Sequence, residues 1–366
     1  MIEADVLVVG AGPAGAAAAL NLAPIRRVVL IERRPEVTDR IGESLPPAAR
    51  RLFADMGLLA DFEAEGHAPY YGNRAVWGAP EPVDADFVRD PDGNGWHLDR
   101  ARYEAWLRRS AAARGADLLA PARIETVERD RAGWLVQIKT SAGRVGVTAK
   151  ILIEAGGRTA PLGRRLGARR RSQDRLVCGW ITGRAGSGGR GAGLAFVEAT
   201  QHGWWYTAPL PAARRVLAFH TDADLPAARS ARNPDELLAT AKTLDELGAV
   251  LAEAGFVAAE TTGYTAAHSG SLDPCAGQAW LAAGDAALSF DPISSQGLLN
   301  ALFTGLAAAE ASDRALAGVK DAIPEYGRAI SEIHSTYRRH LAFIYGAETR
   351  WPDAPFWRRR RQSSIG

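Results

Sequence analysis

The stretch ADVLVVGAGPAGAAAALNLA, residues 4–23, decides the fold of this chain. It begins with an apolar run typical of a buried strand, continues through glycines that mark a tight turn, and ends in alanines that favour a helix. A second apolar segment, RRVVLIE at 26–32, is typical of another strand. The order strand, helix, strand predicts two parallel strands joined by a helix, the opening unit of an α/β domain.

The glycines of the turn follow the spacing G-x-G-x-x-G, at Gly10, Gly12 and Gly15. The first makes the turn, the second lets the backbone approach a pyrophosphate, and the third lets the helix pack closely on the strand. The helix N-terminus offers unpaired N–H groups to that pyrophosphate. Glu32 ends the second strand, where an acid binds an unphosphorylated ribose, as in FAD or NAD. The pattern predicts a dinucleotide site; a turn that only packs a helix is the structural alternative.

A second stretch, GDAALSFDPISSQGLLNAL at 284–302, places a carboxylate after a buried strand and opens another helix. Asp285 is suited to bind the ribityl chain of a dinucleotide held at residues 10–15. A helix starting near Gln296 and Gly297 would point its N–H groups at a ring that becomes anionic on reduction. A flavin has that character and a nicotinamide does not. Asp285 as an ordinary turn residue at a strand end is the alternative.

Composition limits the classes of partner. The 366 residues carry a formal net charge of only +2, which argues against nucleic acid as a partner. The two cysteines, Cys178 and Cys275, have no metal-ligand spacing, so we expect no metal and a reduced, cytoplasmic setting. The chain opens on a strand, and no apolar run is long enough to cross a membrane, so we expect neither a signal peptide nor a transmembrane segment.

Three kinds of segment are predicted along the chain. Segments 1–65, 98–168 and 274–310 carry the strand and helix patterns of a nucleotide-binding domain, including a helix capped by Asp99 and ended at Gly115. Segments 66–97 and 169–273 are rich in short strands and are assigned to a substrate domain, with a helical interlude near 234–254. Residues 311–366 form a C-terminal helical segment. The fold class is thus mixed α/β, with an inserted β-rich domain.

The end of the chain, WPDAPFWRRRRQSSIG at 351–366, combines aromatic residues with four consecutive arginines. A frayed, solvated terminus is the default expectation for such a segment. Basic-aromatic tails can also dock on an acidic partner or an anionic membrane surface. A docking arm is therefore the alternative, and it gains weight if the substrate is a protein.

Taken together, four motifs resemble one family. They are the glycine turn, GES at 42–44, LDRARYEAWL at 98–107 and GD...DP...S.QG at 284–297. They resemble the FAD-dependent monooxygenases that share the para-hydroxybenzoate hydroxylase fold, with its Rossmann-like FAD domain, in the branch containing the tryptophan halogenases. Within that branch the chain is most similar to flavoproteins that mature quinone-cofactor enzymes by hydroxylating a tryptophan of a partner protein.

The resemblance implies contacts with FAD for twelve residues. Five would contact its ADP half, two would lie near the flavin, and five would contact the ribityl chain and ring. They are, in that order, Gly10, Gly12, Gly15, Glu32 and Arg33; Ser44 and Arg100; and Asp285, Pro292, Gln296, Gly297 and Leu298. Arg100 has a plainer alternative, because a first-turn arginine can simply pair with a local carboxylate.

Two departures from the family matter. Where the hydroxylase branch carries an Asp-Gly pair tied to NADPH handling, this chain has Gly156 and Gly157, which puts direct reduction by NADPH in doubt. Halogenases carry a lysine beyond the glycine turn that captures hypohalous acid, but residues 33–138 contain none. The halogenase motif G-W-x-W-x-I-P is altered here to GWWYTAP at 203–209. Halogenation is therefore disfavoured on chemical grounds.

Oxygenation by a reduced flavin needs a peroxide intermediate kept from water beside an electron-rich ring. Aromatic walls suit that task, and the predicted substrate pocket consists of Trp77, Trp204 and Trp205. Because side chains alternate along a strand, Trp204 and Tyr206 should face one side and Trp205 the other. His97 and Tyr206 are the candidate catalytic residues, with His97 as a proton shuttle because imidazole titrates near neutral pH. Core packing is the alternative for each aromatic, and a structural role for His97.

The sequence thus predicts an FAD-dependent monooxygenase that hydroxylates an aromatic ring through a flavin hydroperoxide. The preferred substrate is a peptidyl tryptophan of a partner protein during quinone cofactor biogenesis. Electrons would come from NAD(P)H, directly or through a separate reductase. The alternatives are a hydroxylase of a small aromatic natural product, a flavoprotein of the geranylgeranyl reductase kind, a halogenase, and a flavin-binding partner without activity.

Overall fold

The computed structural model describes residues 1–186, 188 and 193–362, and only the backbone at 259 and 260. The strands are β1 (Ile2–Val9), β2 (Val28–Ile31), β3 (Ser44–Leu45), β4 (Ala68–Tyr70), β5 (Gly72–Val76), β6 (Val83–Asp86), β7 (Gly95–His97), β8 (Asp117–Leu119), β9 (Ala122–Arg129), β10 (Trp134–Thr140), β11 (Gly143–Glu154), β12 (Arg169–Ser172), β13 (Leu176–Arg184), β14 (Leu194–Thr200), β15 (Gly203–Leu210), β16 (Arg214–Asp222), β17 (Val257–Ala266), β18 (Gly270–Asp273), β19 (Ala276–Gly277), β20 (Trp280–Ala282) and β21 (Leu288–Ser289). The helices are α1 (Pro13–Leu22), α2 (Ala49–Asp55), α3 (Leu59–Ala64), α4 (Arg100–Ala113), α5 (Pro161–Arg165), α6 (Ala227–Ser230), α7 (Pro234–Lys242), α8 (Asp245–Glu253), α9 (Gly297–Leu316), α10 (Ala322–Ala347) and α11 (Pro355–Gln362).

The larger sheet is built around β1. Strands β20, β11, β1, β2 and β8 lie side by side in that order and run parallel. Strands β9 and β10 extend the sheet from β11 as an antiparallel meander. The predicted strand, helix, strand opening and the mixed α/β fold class are both confirmed.

Helices α1 and α9 pack directly against each other on this sheet. A side chain at Gly305 of α9 would come within 2.3 Å of the carbonyl oxygen of Ala14, at the start of α1. At the other end, the Arg26 guanidinium that follows α1 lies 2.7 Å from Asp313, late in α9. The start of α1 therefore contacts the middle of α9, and the end of α1 lies near the later part of α9. The two helices run in the same direction. Their N-termini consequently lie at the same side of the domain.

A seven-stranded sheet has the order β17-β13-β16-β15-β14-β5-β6 and is antiparallel except where β14 meets β5. One face is covered by α7 and α8, and Trp205, Phe219 and Leu247 lie in that core. The opposite face carries Trp180 and Trp204. The predicted alternation is confirmed, because Trp204 and Trp205 belong to different cores. Strands from both segments that the sequence assigns to a substrate domain contribute to this sheet.

The C-terminal helix α11 packs on the seven-stranded sheet, so the expectation of a solvated terminus is wrong for residues 351–362. Phe356 and Trp357 are fully buried, and Trp357 Nε1 donates to the carbonyl oxygen of Thr200 at 2.9 Å. Arg360 bonds Asp222 at 2.9 Å and lies over the ring of Phe356. Acidic partners on the sheet thus offset burial of the cation. Residues 363–366 of the predicted tail lie outside the described residues.

The predicted helix punctuation is confirmed in two places. Asp99 caps α4 by accepting from the Arg102 N–H, and Gly115 follows its end with a φ of 102°. The helical interlude near 234–254 is α7 and α8. Among the described helices, none combines the length and apolar character that a membrane crossing requires.

Candidate active site

The turn between β1 and α1 leaves open space in front of the helix. Gly10 has a φ of 104°, and a Cβ at Gly15 would lie 1.8 Å from the carbonyl oxygen of Gly10. A Cβ at Gly12, in contrast, would meet no atom within 4 Å, and no side chain caps the N-terminus of α1. Two glycines therefore serve the packing of the turn, whereas Gly12 borders a space that a phosphate group can enter.

Glu32 is fixed against this turn. Its carboxylate accepts the N–H of Ala11 and that of Arg34, both at 3.0 Å, and Arg108 lies 3.6 Å away. Arg108 also donates to the carbonyl oxygen of Ala11 at 3.0 Å. The acid thus stands at the end of β2 beside the open helix N-terminus, where the sequence predicts a ribose contact. Arg33, next to it, is exposed.

The second helix N-terminus repeats the arrangement. No side chain caps α9, and a Cβ at Gly297 would meet nothing within 4 Å. Pro292 and Gln296 are exposed beside it, while Leu298 is buried in the core. Because α1 and α9 are parallel, the two uncapped N-termini open toward the same side. A long ligand with a pyrophosphate and an electron-accepting ring fits this pair of helix ends.

Asp285 is partly exposed and lies 3.3 Å from Arg158. Arg158 also donates to the carbonyl oxygens of Phe290 at 3.1 Å and His268. This arginine follows Gly156 and Gly157, the pair that departs from the family pattern. Sequence reasoning missed the residue that organises this turn: the buried Glu154 accepts N–H groups from Gly156, Leu162 and Gly163 at 2.6–3.0 Å. The sequence did contain one indication of this role: an acid two positions before the Gly156-Gly157 pair.

Arg100 is held both by a local carboxylate and by the GES loop. It pairs with buried Glu104 one turn along α4, as the plainer alternative proposed. It also donates to the carbonyl oxygens of Ile41, at 3.3 Å, and Gly42. Arg40 reaches the same Glu104 at 2.9 Å. Arg100 therefore fixes the loop that carries GES, and its predicted contact with the flavin stays a prediction.

Ser44 joins the two candidate catalytic residues. Its hydroxyl oxygen lies 2.8 Å from the Tyr206 hydroxyl and 3.3 Å from His97 Nδ1. Burial lowers the pKa of His97 to about 3 and raises that of Tyr206 well above its ordinary value. His97 is therefore neutral at pH 7, and its role as a proton shuttle stays a prediction. Both groups can still orient Ser44 by hydrogen bonding.

A narrow cavity lies between the loop that contains GES, the start of α4 and the face of the seven-stranded sheet opposite α7 and α8. Its walls are Asp39, Arg40, Ile41, Glu43, Leu98, Asp99, Arg100, Trp180, Thr182, Leu210, Arg214 and Val216. Arg214 spans its edge by pairing with Asp99 at 2.9 Å and Asp39 at 3.4 Å. A wider surface cleft of about 540 Å³ shares Arg214 with this cavity.

The aromatic wall of this cavity is Trp180, and none of the predicted pocket tryptophans lines it. Trp204 stacks on His220 and donates to the Tyr345 hydroxyl at 3.1 Å. Trp77 donates to the carbonyl oxygen of Ile344 at 2.8 Å, and Trp205 stacks on Phe219 in the other core. The ring N–H groups of Trp77 and Trp204 thus bond residues of α10, and the Trp205 ring packs in the helix-covered core. From the sequence, Trp180 could be identified only as an aromatic residue of a strand, on the same face as Thr182.

Comparison with known proteins agrees with this geometry. Residues 3–338 match the family described as FAD binding domain, and the chain belongs to that family. It is 30% identical over 378 residues to a protein of Marinomonas mediterranea that carries the name FAD-dependent oxidoreductase LodB, with 98% of this chain and 97% of the relative covered. The protein is accordingly an oxidoreductase with FAD as its cofactor.

Two solved structures share the fold. The myxobacterial chondrochloren halogenase CndH matches with a TM-score of 0.89 at 24% identity, covering 98% of this chain and 86% of the halogenase. The peptidyl tryptophan dihydroxylase QhpG, essential for tryptophylquinone cofactor biogenesis, matches with a TM-score of 0.76 at 24% identity, covering 98% and 79%. One fold thus carries both chemistries, and the choice between them rests on the residues of the site.

The described residues fit FAD. The open spaces at Gly12 and Gly297 suit the pyrophosphate and the reduced ring, and Glu32 and Asp285 suit the ribose and the ribityl chain. When bound there, reduced FAD would supply two electrons at its ring. The protein's own part is to position the cofactor, keep water from the ring and hold protons at defined atoms.

Proposed function

We propose that this oxidoreductase uses FAD and molecular oxygen to hydroxylate an aromatic ring, with a tryptophan side chain of a partner protein as the preferred substrate. The observation that carries the proposal is the cavity beside the GES loop, which has Trp180 and Thr182 on its sheet wall and a volume of about 20 Å³ as it stands. That volume holds one water molecule, so a ring enters only when the ion pairs of Arg214 open. A ring that has entered would lie against the Trp180 indole, shielded from solvent.

The chemistry of the site disfavours halogenation. The chain has four lysines, at 139, 150, 242 and 320, and none lines the cavity. A halogenase needs an ammonium group to capture hypohalous acid. The cavity instead offers arginines, which are planar, permanently charged and here engaged with carboxylates.

A peptide substrate is supported by the route into the cavity. The wide cleft formed by Arg184, Ala185, Gly186, Ala212, Ala213, Arg214 and Gly255 adjoins the narrow cavity through Arg214. A backbone segment could lie in the cleft while one side chain enters past Arg214. The fold shared with a peptidyl tryptophan dihydroxylase supports the same assignment.

A hydroxylase of small aromatic molecules is the second candidate. The narrowness of the cavity favours it, since Arg214, Asp39 and Asp99 close its edge with ion pairs. A free aromatic acid could bind the arginine once one of these pairs opens. The charged walls give no support to a lipid substrate, as a geranylgeranyl reductase would need.

The test is a coupling assay on the FAD-loaded protein. The flavin is reduced anaerobically with NADH, NADPH or dithionite, and then mixed with oxygen and one of three probes: a tryptophan-containing decapeptide, N-acetyltryptophanamide or 4-hydroxybenzoate. We expect hydroxylated peptide and a lower hydrogen peroxide yield with the peptide alone. Product from a small probe alone would favour the second candidate. Full conversion of the electrons to hydrogen peroxide with every probe would reject both.

A further inference from the structure

Glu43 is a buried carboxyl group in which only one of the two oxygens accepts a hydrogen bond of good geometry. It is 2% exposed, and one carboxyl oxygen accepts the Gly42 N–H at 2.8 Å. The other oxygen is fully buried and makes no hydrogen bond of good geometry in the described structure. The Tyr206 hydroxyl is near enough to act on the pKa of this carboxyl group, but it bonds Ser44 at 2.8 Å. Glu43 also lines the cavity. A buried acceptor without a partner is costly, so its retention beside a cavity points to a ligand group or proton that it meets.

The charges around the cavity single out the same residue. Three arginines line it, and each is engaged by another acid: Arg40 and Arg100 by Glu104, and Arg214 by Asp99 and Asp39. In the described part of the chain no such ion pair reaches Glu43. Its carboxylate is thus the acid of the cavity wall that remains available to bind a proton.

Four groups face Glu43 from the neighbouring elements and influence its protonation. They are Tyr206 on β15, Arg100 on α4, Cys178 on β13 and Tyr70 on β4. Burial raises the pKa of the Glu43 carboxyl, partly opposed by the Tyr206 hydroxyl and the Gly42 N–H. The Cys178 thiol and both tyrosine hydroxyls have raised pKa values and stay protonated at neutral pH. Among the Glu43 carboxyl, the Cys178 thiol and the two tyrosine hydroxyls, only the carboxyl has an ordinary pKa below neutrality, and burial raises it.

We propose that Glu43 is the base that removes the ring proton during hydroxylation. This inference rests on the proposed function. Oxygen transfer to an aromatic carbon leaves that carbon bearing both the new oxygen and its original hydrogen. The C–H bond then breaks, its electron pair restores the aromatic ring, and the proton binds the free oxygen of Glu43. Overall, the aromatic ring, O₂ and FADH₂ would give the hydroxylated ring, water and oxidised FAD. The O–O bond breaks, and FADH₂ would supply two electrons and two hydrogens. One hydrogen ends on the new hydroxyl group; the other joins the proton released by Glu43 on the second oxygen atom, which leaves as water.

The test compares Glu43→Gln with wild type and with Glu198→Gln. Glutamine keeps an acceptor for the Gly42 N–H but cannot take a proton. Glu198 is a matched control, because it is also a buried carboxyl with a raised pKa, accepting the Leu247 N–H near the helix-covered face. Melting temperature and FAD affinity are measured first, and we expect neither to change in Glu43→Gln.

The readouts are product yield per reduced flavin, its pH profile and the isotope effect with a ring-deuterated tryptophan decapeptide. We expect Glu43→Gln to lower the rate of product formation about 100-fold, as for a lost general base. It should also lose the acidic limb of the pH profile and gain a primary isotope effect, whereas Glu198→Gln should resemble wild type. Glu43→Asp should recover part of the rate.

Three results would overturn the inference, and they are distinguishable. Equal rates and isotope effects in wild type and Glu43→Gln would reject the role of Glu43 and leave the proposed function intact. A wild type that hydroxylates none of the probes would reject the proposed function and this inference with it. An infrared difference spectrum of wild type against Glu43→Gln that shows an ordinary, acidic carboxyl titration would reject the base independently of activity.

Discussion

The two open helix ends, at Gly12 and Gly297, and the contact surface between α11 and the seven-stranded sheet differ in how they are built. At the helix ends the backbone makes the site: Gly12 and Gly297 border open space, Gly10 and Gly15 allow the close approach of the first turn, and no side chain caps either helix. At the α11 contact surface, made by Trp77, Trp204, Asp222, Tyr345 and Trp357, side chains from distant parts of the chain meet. The first region depends on local spacing, and the second on the finished fold.

We infer from this difference that the two regions have different functions. The helix ends are the predicted contacts of the cofactor, while the α11 contact surface supports the turn before α9. Tyr345 connects them: it accepts the Trp204 N–H and donates to Asp291, which opens the turn before α9. The position of the second helix end therefore depends on residues near the C-terminus.

The largest effect is expected at the glycine turn. Gly15→Ala places a Cβ 1.8 Å from a backbone oxygen, so the turn must move, and we expect a loss of more than about 4 kcal/mol of unfolding free energy. Gly12→Ala is the control, with no atom within 4 Å, and should change stability by less than about 0.5 kcal/mol. Its Cβ would occupy the phosphate space, so FAD affinity should fall at least about tenfold. Urea unfolding without FAD and flavin fluorescence titration measure the two effects; equal stability of both variants would contradict the division of roles.

The next effect is expected at the α11 contact surface. Trp357→Ala removes a buried indole and its bond to Thr200, and should cost about 3–5 kcal/mol. Arg358→Ala, on the exposed side of the same helix, should stay within about 0.5 kcal/mol. Chemical denaturation of both variants decides the matter. If both proved neutral, α11 would be a tail after all.

Asp291 allows a test by pH. Burial raises its pKa to about 7, so the folded protein binds this proton more tightly than the unfolded chain does. The stabilisation is complete below the unfolded pKa, near 4, and is lost as pH rises through about 7. Asp291→Asn should remove this part of the pH dependence, at most about 4 kcal/mol between those limits. Unfolding curves at several pH values measure it; a variant that keeps the wild-type slope would place the titration elsewhere.

The smallest effect is expected at the surface edge of the seven-stranded sheet. Arg74 pairs with Asp84 at 2.6 Å across β5 and β6, with both groups partly exposed. Arg74→Gln should cost at most about 1 kcal/mol, and the difference should shrink in 1 M salt. Thermal melts at two salt concentrations suffice. A larger, salt-independent loss would mean that this edge contributes more to the sheet than its exposure suggests.

What the sequence could predict follows the same division. Gly15 and Asp99 act on neighbours a few residues away, so local patterns were enough to place the turn and the helix cap. Glu43, Glu154 and Trp180 were not singled out, because their importance comes from what the fold brings to them. The prediction of a solvated tail was wrong for the same reason. Arg360 pairs with an aspartate 138 positions earlier, and the sequence around either residue does not indicate this pair.

The central claim is the proposal that oxygen is transferred to an aromatic ring in the cavity beside the GES loop. The most direct measurement is a single turnover of the reduced, FAD-loaded protein with ¹⁸O₂ and a tryptophan-containing decapeptide, read by mass spectrometry. The account predicts one labelled oxygen atom in the indole ring per hydroxylation. An unlabelled peptide, with all label recovered in hydrogen peroxide, would contradict it.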